Sequence, residues 1–266
     1  MTDRKKTAGA RTQQATSRYP VGDKLNFAAA EAYKLLRTNL IFSFPEEGKG
    51  HVVGITSALR GEGKSLTAVN LAYSLAETGK NVLLIEADMR LPSISRNLKL
   101  SRSPGLSNVL VGMSPLSSAV QKYKEFENFS VIVAGDIPVN PSELLGSQKM
   151  QKIMEGLAKY YEYIIVDLPP VTAVSDPVAV SKFLDGMVVI VRNEYTERGS
   201  LEDAIRQLQF VGVRIIGFVF NCVNNKSEGY SKKYGKKYKY NYKYSNRYVY
   251  ENRPVRKQNS SGQTGG

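Results

Sequence analysis

Apolar and polar residues follow one another in blocks of changing period along this 266-residue chain. "NFAAAEAYKLLRTNLIFS" spaces its apolar residues by three and four, which predicts a helix over Ala28–Phe42. "HVVGITS" is a short apolar run rich in β-branched residues and reads as a buried strand. "KSLTAVNLAYSLAETGK" returns to helical spacing, with Gly79 as its stop signal, and "NVLLIEAD" is a second strand. Further strands are predicted at "FSVIVAG", "YEYIIVDLPP", "GMVVIVR" and "RIIGFVFN", and further helices at Gln148–Tyr160, Asp176–Phe183 and Leu201–Phe210. Six strands separated by helices imply right-handed βαβ units. The near-continuous apolar strands require cover on both faces. The expected fold class is therefore α/β: a doubly wound, mostly parallel sheet with helices on both faces. The pattern fails at the two ends. Residues 1–24 are expected to form a basic, disordered arm, 25–225 the folded domain, and 226–266 a flexible tyrosine-rich tail with almost no aliphatic residue.

Charge sharpens this division. A net charge of +13 suggests nucleic-acid binding at first sight. Residues 226–257, however, carry eleven Lys/Arg against two Glu, and residues 1–24 carry six against two Asp. The body between them holds equal numbers of basic and acidic groups, so the charge lies in the arms and no nucleic acid is expected as partner. The same tail taken alone would also suit single-stranded nucleic acid, by stacking and phosphate contacts. One cysteine and one histidine exclude an internal disulfide and a Cys/His zinc site. Cys222 itself reads as a small core residue. No apolar run reaches the ~18 residues needed to span a bilayer, and the basic start lacks the apolar segment of a signal peptide. A cytoplasmic protein is expected, and any association with the inner face of the membrane must come from a partner or from the basic arms.

Three motifs carry candidate chemistry. Ala58 to Ser65 reads A-x-x-x-x-G-K-S between a strand and a helix, a phosphate-binding loop with Ala in place of the usual first Gly. Arg60, Gly61, Glu62, Gly63, Lys64, Ser65 and Leu66 form the candidate nucleotide-binding stretch. Its glycines let N–H groups curl around a phosphate. The helix start adds its dipole, Lys64 reaches the terminal phosphates, and the Ser65 hydroxyl ligates Mg²⁺. "VLLIEADMR" ends a buried strand in Glu86 and Asp88, which alternation places on one side, with Arg90 next. Two acids at that edge need water, a metal or a positive partner. One could hold Mg²⁺ while the other accepts a proton. "YIIVDLPPV" ends a strand in Asp167, where a carboxylate supports Mg²⁺ directly or through water.

The set "SALRGEGKS", "LLIEADMRLP", "GDIPVNPSELLGS" and "IIVDLPPVTAVSDP", closed by a tyrosine cluster, resembles the bacterial protein-tyrosine kinases of exopolysaccharide and capsule synthesis. Within them it resembles the stand-alone cytoplasmic type of Gram-positive bacteria. The likeness spans about residues 25–250. It implies a P-loop NTPase-like kinase that uses ATP and Mg²⁺. It also implies that the tail tyrosines Tyr230, Tyr234, Tyr238, Tyr240, Tyr242, Tyr244, Tyr248 and Tyr250 are autophosphorylation sites, reached most easily by a neighbouring subunit. Mg²⁺ would lie near Ser65 and Asp88, with Asp167 in its outer shell. Glu86 would orient or deprotonate the phenol. Arg90 would either steady the developing charge or make a structural salt bridge. The adenine would lie near Asn221. The resemblance further implies a separate transmembrane chain-length regulator as activator, a tyrosine phosphatase, and a homo-oligomer, in ring form where it closes. Two departures stand out. The family's D-x-D is Glu86-Ala87-Asp88 here, and its oligomerisation motif E-x-x-R-x-x-R is Glu31, Lys34 and Arg37, where Lys34 lacks an arginine's fork.

Two other classes share this reading of the body. Partitioning and cell-division ATPases have a similar loop but carry a signature lysine where this chain has Leu59, followed by Arg60. A nucleotide-dependent regulatory module without kinase activity would show the same phosphate loop.

Overall fold

The computed structural model describes residues 20–44, 49–123 and 126–223. The first element, α1 (Phe27–Ser43), begins where Asn26 accepts a hydrogen bond from the Ala29 N–H, a side-chain cap that satisfies one of the free donors of the first turn. There follow β1 (His51–Ser57), α2 (Lys64–Ala76) and β2 (Val82–Glu86). Three short helices, α3 (Ile94–Leu98), α4 (Leu106–Leu110) and α5 (Leu116–Ala119), then lead into β3 (Val120–Lys122) and β4 (Phe129–Ile132). The second half contains α6 (Pro141–Leu145), α7 (Gln148–Leu157), β5 (Tyr163–Asp167), α8 (Asp176–Ser181), β6 (Gly186–Arg192), α9 (Arg198–Phe210) and β7 (Ile215–Asn221).

Among the described residues the strands form a seven-stranded sheet in the order β3-β4-β2-β5-β1-β6-β7. All pairs are parallel except β3 with β4. All six expected strands are present. The seventh, β3, is a three-residue antiparallel edge that no periodicity announces. It is short and blunt, a form that keeps an open sheet edge from recruiting other chains. The parallel strands β1, β2, β4, β5 and β6 are buried along nearly their whole length, as cover on both faces requires. Leu40 of α1, the inner face of α2, and Ile94 and Leu98 of α3 cover one side. Val109, Met150, Met154, Leu157, Val180, Ala204 and Leu208 of α4, α7, α8 and α9 cover the other. Edge strand β7 is the exception, with Phe218 and Phe220 exposed. Beyond it Cys222 is exposed at φ 57, which corrects the expectation of a core cysteine: the strand has already ended and the chain has turned away from the apolar layer.

Register places the chemistry. Asp167 at the end of β5 lies opposite Ile55 of β1 on one side and Glu86 of β2 on the other. The carboxyl ends of three adjacent strands thus meet, and the loop from β1 to α2 rises beside them. This is the edge at which open α/β sheets bind ligands.

Candidate active site

The phosphate loop owes its shape to two left-handed residues, Gly61 at φ 78 and Gly63 at φ 95. Gly63 caps α2, and a Cβ there would stand 2.0 Å from the Asn221 amide nitrogen. Asn221 Nδ2 donates to the Glu62 carbonyl at 2.8 Å, so the end of β7 braces the loop directly. Arg192 Nη1 donates to the Gly61 carbonyl at 3.0 Å, and its guanidinium lies over the Tyr195 ring. The Glu62 side chain faces inward, fully buried. It accepts from the Leu59 N–H at 2.8 Å and from the Thr196 hydroxyl, so its carboxylate is spent on folding the loop and leaves only its backbone to a nucleotide. Arg60 is exposed and, with Gly61, lines the cleft. Leu66 packs into the core beneath α2.

At the centre, Lys64 Nζ stands 2.7 Å from Asp88 Oδ2, 3.7 Å from Asp167 Oδ1 and 3.2 Å from the Ser65 hydroxyl. Burial alone would push the Lys64 ammonium down, but Asp167 and Asp88 outweigh it and hold its pKa above the ordinary value. Asp88 also accepts from the Leu91 N–H at 3.1 Å. Asp167 is fully buried, and neither of its oxygens meets a hydrogen-bond donor among the described residues. Burial pushes its pKa up to about 6, against the pull of Lys64. A buried carboxylate with open lone pairs beside a phosphate loop fits a divalent cation. Mg²⁺ at nucleotide sites typically takes one or two carboxylates, the remaining positions going to phosphates and water. Ser65, Asp88 and Asp167 are the residues that would hold it.

Glu86 does not join this group of side chains. Its Oε1 accepts from the Ser93 and Ile94 N–H groups at 2.5 and 2.7 Å, and its Oε2 from the Ala134 N–H at 3.1 Å. Three of about four acceptor positions are filled by backbone. The carboxylate ties the start of α3 and the end of β4 beneath the site, where burial raises its pKa. The open cleft above is lined instead by Arg60, Gly61, Lys64, Asp88, Arg90 and Leu91, with Pro169, Pro170, Ala173 and Val174 opposite.

Arg90 lies in an ion pair. Its Nε and Nη2 donate to Asp176 at 2.9 and 3.0 Å, a forked pair. Asp176, fully buried at the start of α8, also accepts from the Ser142 hydroxyl. Asp176, Arg192 and Thr196 escaped the reading of the sequence. A hydrophilic residue following a strand gives no sign of which loop it will brace. On α1, Lys34 and Glu31 pair with each other at 2.8 Å in solvent, while Arg37 donates to the Ser74 carbonyl and hydroxyl at 2.6 and 3.1 Å within the same chain. The eight tail tyrosines lie outside the described residues.

A glycine-shaped phosphate loop whose lysine is ringed by strand-end carboxylates, on a parallel sheet of this order, defines a P-loop nucleotide-binding domain. The AAA domain model matches residues 50–213. The tyrosine-protein kinase YwqD of Bacillus subtilis is 35% identical over 217 residues, 82% of this chain and 90% of its own length. The tyrosine-protein kinase ptk of Acinetobacter johnsonii is 33% identical over 76% of this chain, but the match spans only 27% of that longer protein. Among solved structures, the kinase domain of the Escherichia coli tyrosine kinase ETK is 32% identical with a TM-score of 0.71, covering 75% of this chain and 77% of that one. The chain belongs to the bacterial tyrosine-protein kinase family.

Proposed function

We propose that the chain transfers the γ-phosphoryl group of ATP to tyrosine. The observation that carries this reading is the Lys64–Asp88–Asp167 cluster: one ammonium between two carboxylates, the deeper of which is fully buried. The phosphate loop cradles the phosphates of the substrate ATP through its backbone N–H groups and the start of α2. Lys64 leaves Asp88 for the terminal phosphates, which are stronger competitors for its charge. Ser65 and Asp167 would hold Mg²⁺, which would supply neutralisation of charge on the phosphates, with Asp88 beside the ion rather than committed to it. Asp88 then becomes the carboxylate open to the cleft. It takes over the role first given to Glu86, orienting the phenol and accepting its proton. A free phenol has a pKa near 10 and is a poor nucleophile without such help. Asn221 and the turn of Arg192 and Tyr195 flank the loop where the base and ribose would lie.

The acceptors are the tyrosines from Tyr230 to Tyr250, modified between subunits of a homo-oligomer. A tyrosine phosphatase reverses the modification. Each phosphate adds roughly −1.5 to −2 charges, enough in sum to reverse the sign of the basic tail. That change loosens the assembly and with it regulates polymerisation and export of capsular or exopolysaccharide. A separate transmembrane chain-length regulator recruits the chain to the inner membrane face and activates it. Among the described residues no helix is long and apolar enough to cross a membrane. The test is incubation of the full chain with ATP and Mg²⁺, followed by mapping of phosphotyrosine. Appearance on the tail, lost in Lys64→Met, is expected. Nucleotide binding without phosphotyrosine would favour a non-kinase module.

A further inference from the structure

The loop after β4 holds two large aliphatic side chains in water. Ile137 is 64% and Val139 101% exposed, and Leu91, 55% exposed, lies on the corresponding loop after β2. Single exposed aliphatics need no explanation, but here two share one loop and the third lines the cleft on the loop of the neighbouring strand. These stand on fixed backbone. Glu86 holds the Ala134 N–H at 3.1 Å. Asn108 accepts from the Asp136 N–H at 3.3 Å and donates to the Asp136 carboxylate at 2.7 Å. Pro138 and Pro141 fix φ on either side of Val139. Arg90 reaches Ser142 at 3.4 Å, which joins this loop to the mouth of the cleft, and Leu91 lines the cleft itself. Two exposed acids, Asp136 and Glu143, flank the aliphatics, while the positive charge of Arg90 is matched by Asp176.

We propose that Leu91, Asp136, Ile137, Val139 and Glu143 form a docking ledge for the acceptor segment, and that its occupant is the tyrosine–lysine stretch Lys236–Tyr244 of a second copy of this chain. The proposal rests on the kinase reading and adds how the acceptor is recognised. In "KKYKYNYKY" the tyrosines recur every second residue. Drawn out in extended form, such a segment carries them on one side about 7 Å apart. With one phenol beside Asp88, its neighbours then fall on either side of the cleft mouth, within reach of apolar cover. The interleaved lysines are complementary to Asp136 and Glu143. A tyrosine outside so basic and so regular a run lacks both contacts, which makes the tail the preferred acceptor.

The experiment pairs two full-length chains. The enzyme carries Phe at the eight tail tyrosines, and the acceptor carries Lys64→Met. Initial rates of transfer are measured against acceptor concentration. Ile137→Ser/Val139→Ser in the enzyme is expected to raise the half-saturating acceptor concentration about five- to tenfold, the size expected for losing partial burial of two aliphatic side chains. Half-saturation by ATP stays unchanged. The same pair placed in the acceptor chain has no effect. Glu143→Lys raises the acceptor requirement as well, more at low salt than at high. An acceptor requirement within twofold of the unsubstituted enzyme overturns the ledge. So does a changed oligomeric state as the only consequence, which would assign this surface to a neighbour's body. Absence of transfer by the unsubstituted pair overturns transfer between copies, and with it the ledge, while absence of phosphotyrosine on the unsubstituted full-length chain as well overturns the kinase reading itself; both are told apart because they appear before any ledge residue is changed.

Discussion

Asp167 and Glu86 are both buried carboxylates at strand ends, yet their surroundings give them opposite duties. Burial of Asp167 outweighs the pull of Lys64 and Ser65, and its pKa is pushed up to about 6. A raised carboxylate costs the folded state while it is ionised, above that value. As pH falls through about 6 toward 4 the folded chain takes up the proton first, and the cost is relieved. The nucleotide-free protein is therefore expected to gain stability over that window, on the order of 2–3 kcal/mol, in urea unfolding. Asp167→Asn should remove the gain. Over the same window Mg²⁺-dependent nucleotide binding should weaken, since the protonated acid is a poor ligand. Glu86 behaves differently because backbone N–H groups fill its acceptor positions. Glu86→Gln turns an NH₂ donor toward one or more of those N–H groups and should cost about 2 kcal/mol of stability. Asp88→Asn should cost some stability through its pair with Lys64 and abolish transfer to tyrosine. Unfolding curves and phosphotyrosine yields on the two variants would separate these roles. Were Glu86→Gln fully stable and inactive, Glu86 would regain the role of base.

Between elements, the forked pair of Arg90 and Asp176 links the end of β2 to α8, and Ser142 brings in α6. The two partners are not equivalent. Arg90 is partly exposed and can return to water, whereas Asp176 is fully buried. Arg90→Met strands a buried charge and should cost about 2 kcal/mol or more, while Asp176→Asn should cost less. Equal losses in denaturant titrations would contradict this asymmetry. The same network shows where the sequence stops being legible. The strands were readable because their apolar runs are uninterrupted, and the phosphate loop because only Gly61 and Gly63 permit its curl. Glu86 looked like Asp88's twin because alternation puts both on one side. Alternation says nothing of the N–H groups that α3 would bring to one of them. The short helices α3 to α6 have too few residues for a period to show. The antiparallel edge β3, Val120–Lys122, has the same difficulty. The end of β7 was readable as a strand, but not as one so open that Cys222 would face solvent.

Taken whole, the chain carries its net positive charge in residues 1–24 and 226–257, and the stretch between them is neutral. Its first helix holds the three charged residues expected at an interface between copies, Glu31, Lys34 and Arg37. Arg37 is held by Ser74 of its own chain, while Glu31 and Lys34 pair in solvent. Arg37→Ala should therefore lower the stability of the isolated chain by about 1 kcal/mol. Reversing Glu31 and Lys34 should leave folding alone and shift only self-association on a sizing column. The decisive measurement concerns the fate of the phosphoryl group. With Mg²⁺-ATP and the full-length chain, phosphotyrosine formed and ADP released are counted together in the first turnovers. Transfer to a phenol predicts one phosphotyrosine on the tail for each ADP, and neither product with Lys64→Met. ADP accumulating without phosphotyrosine would show that water is the acceptor and would contradict the account.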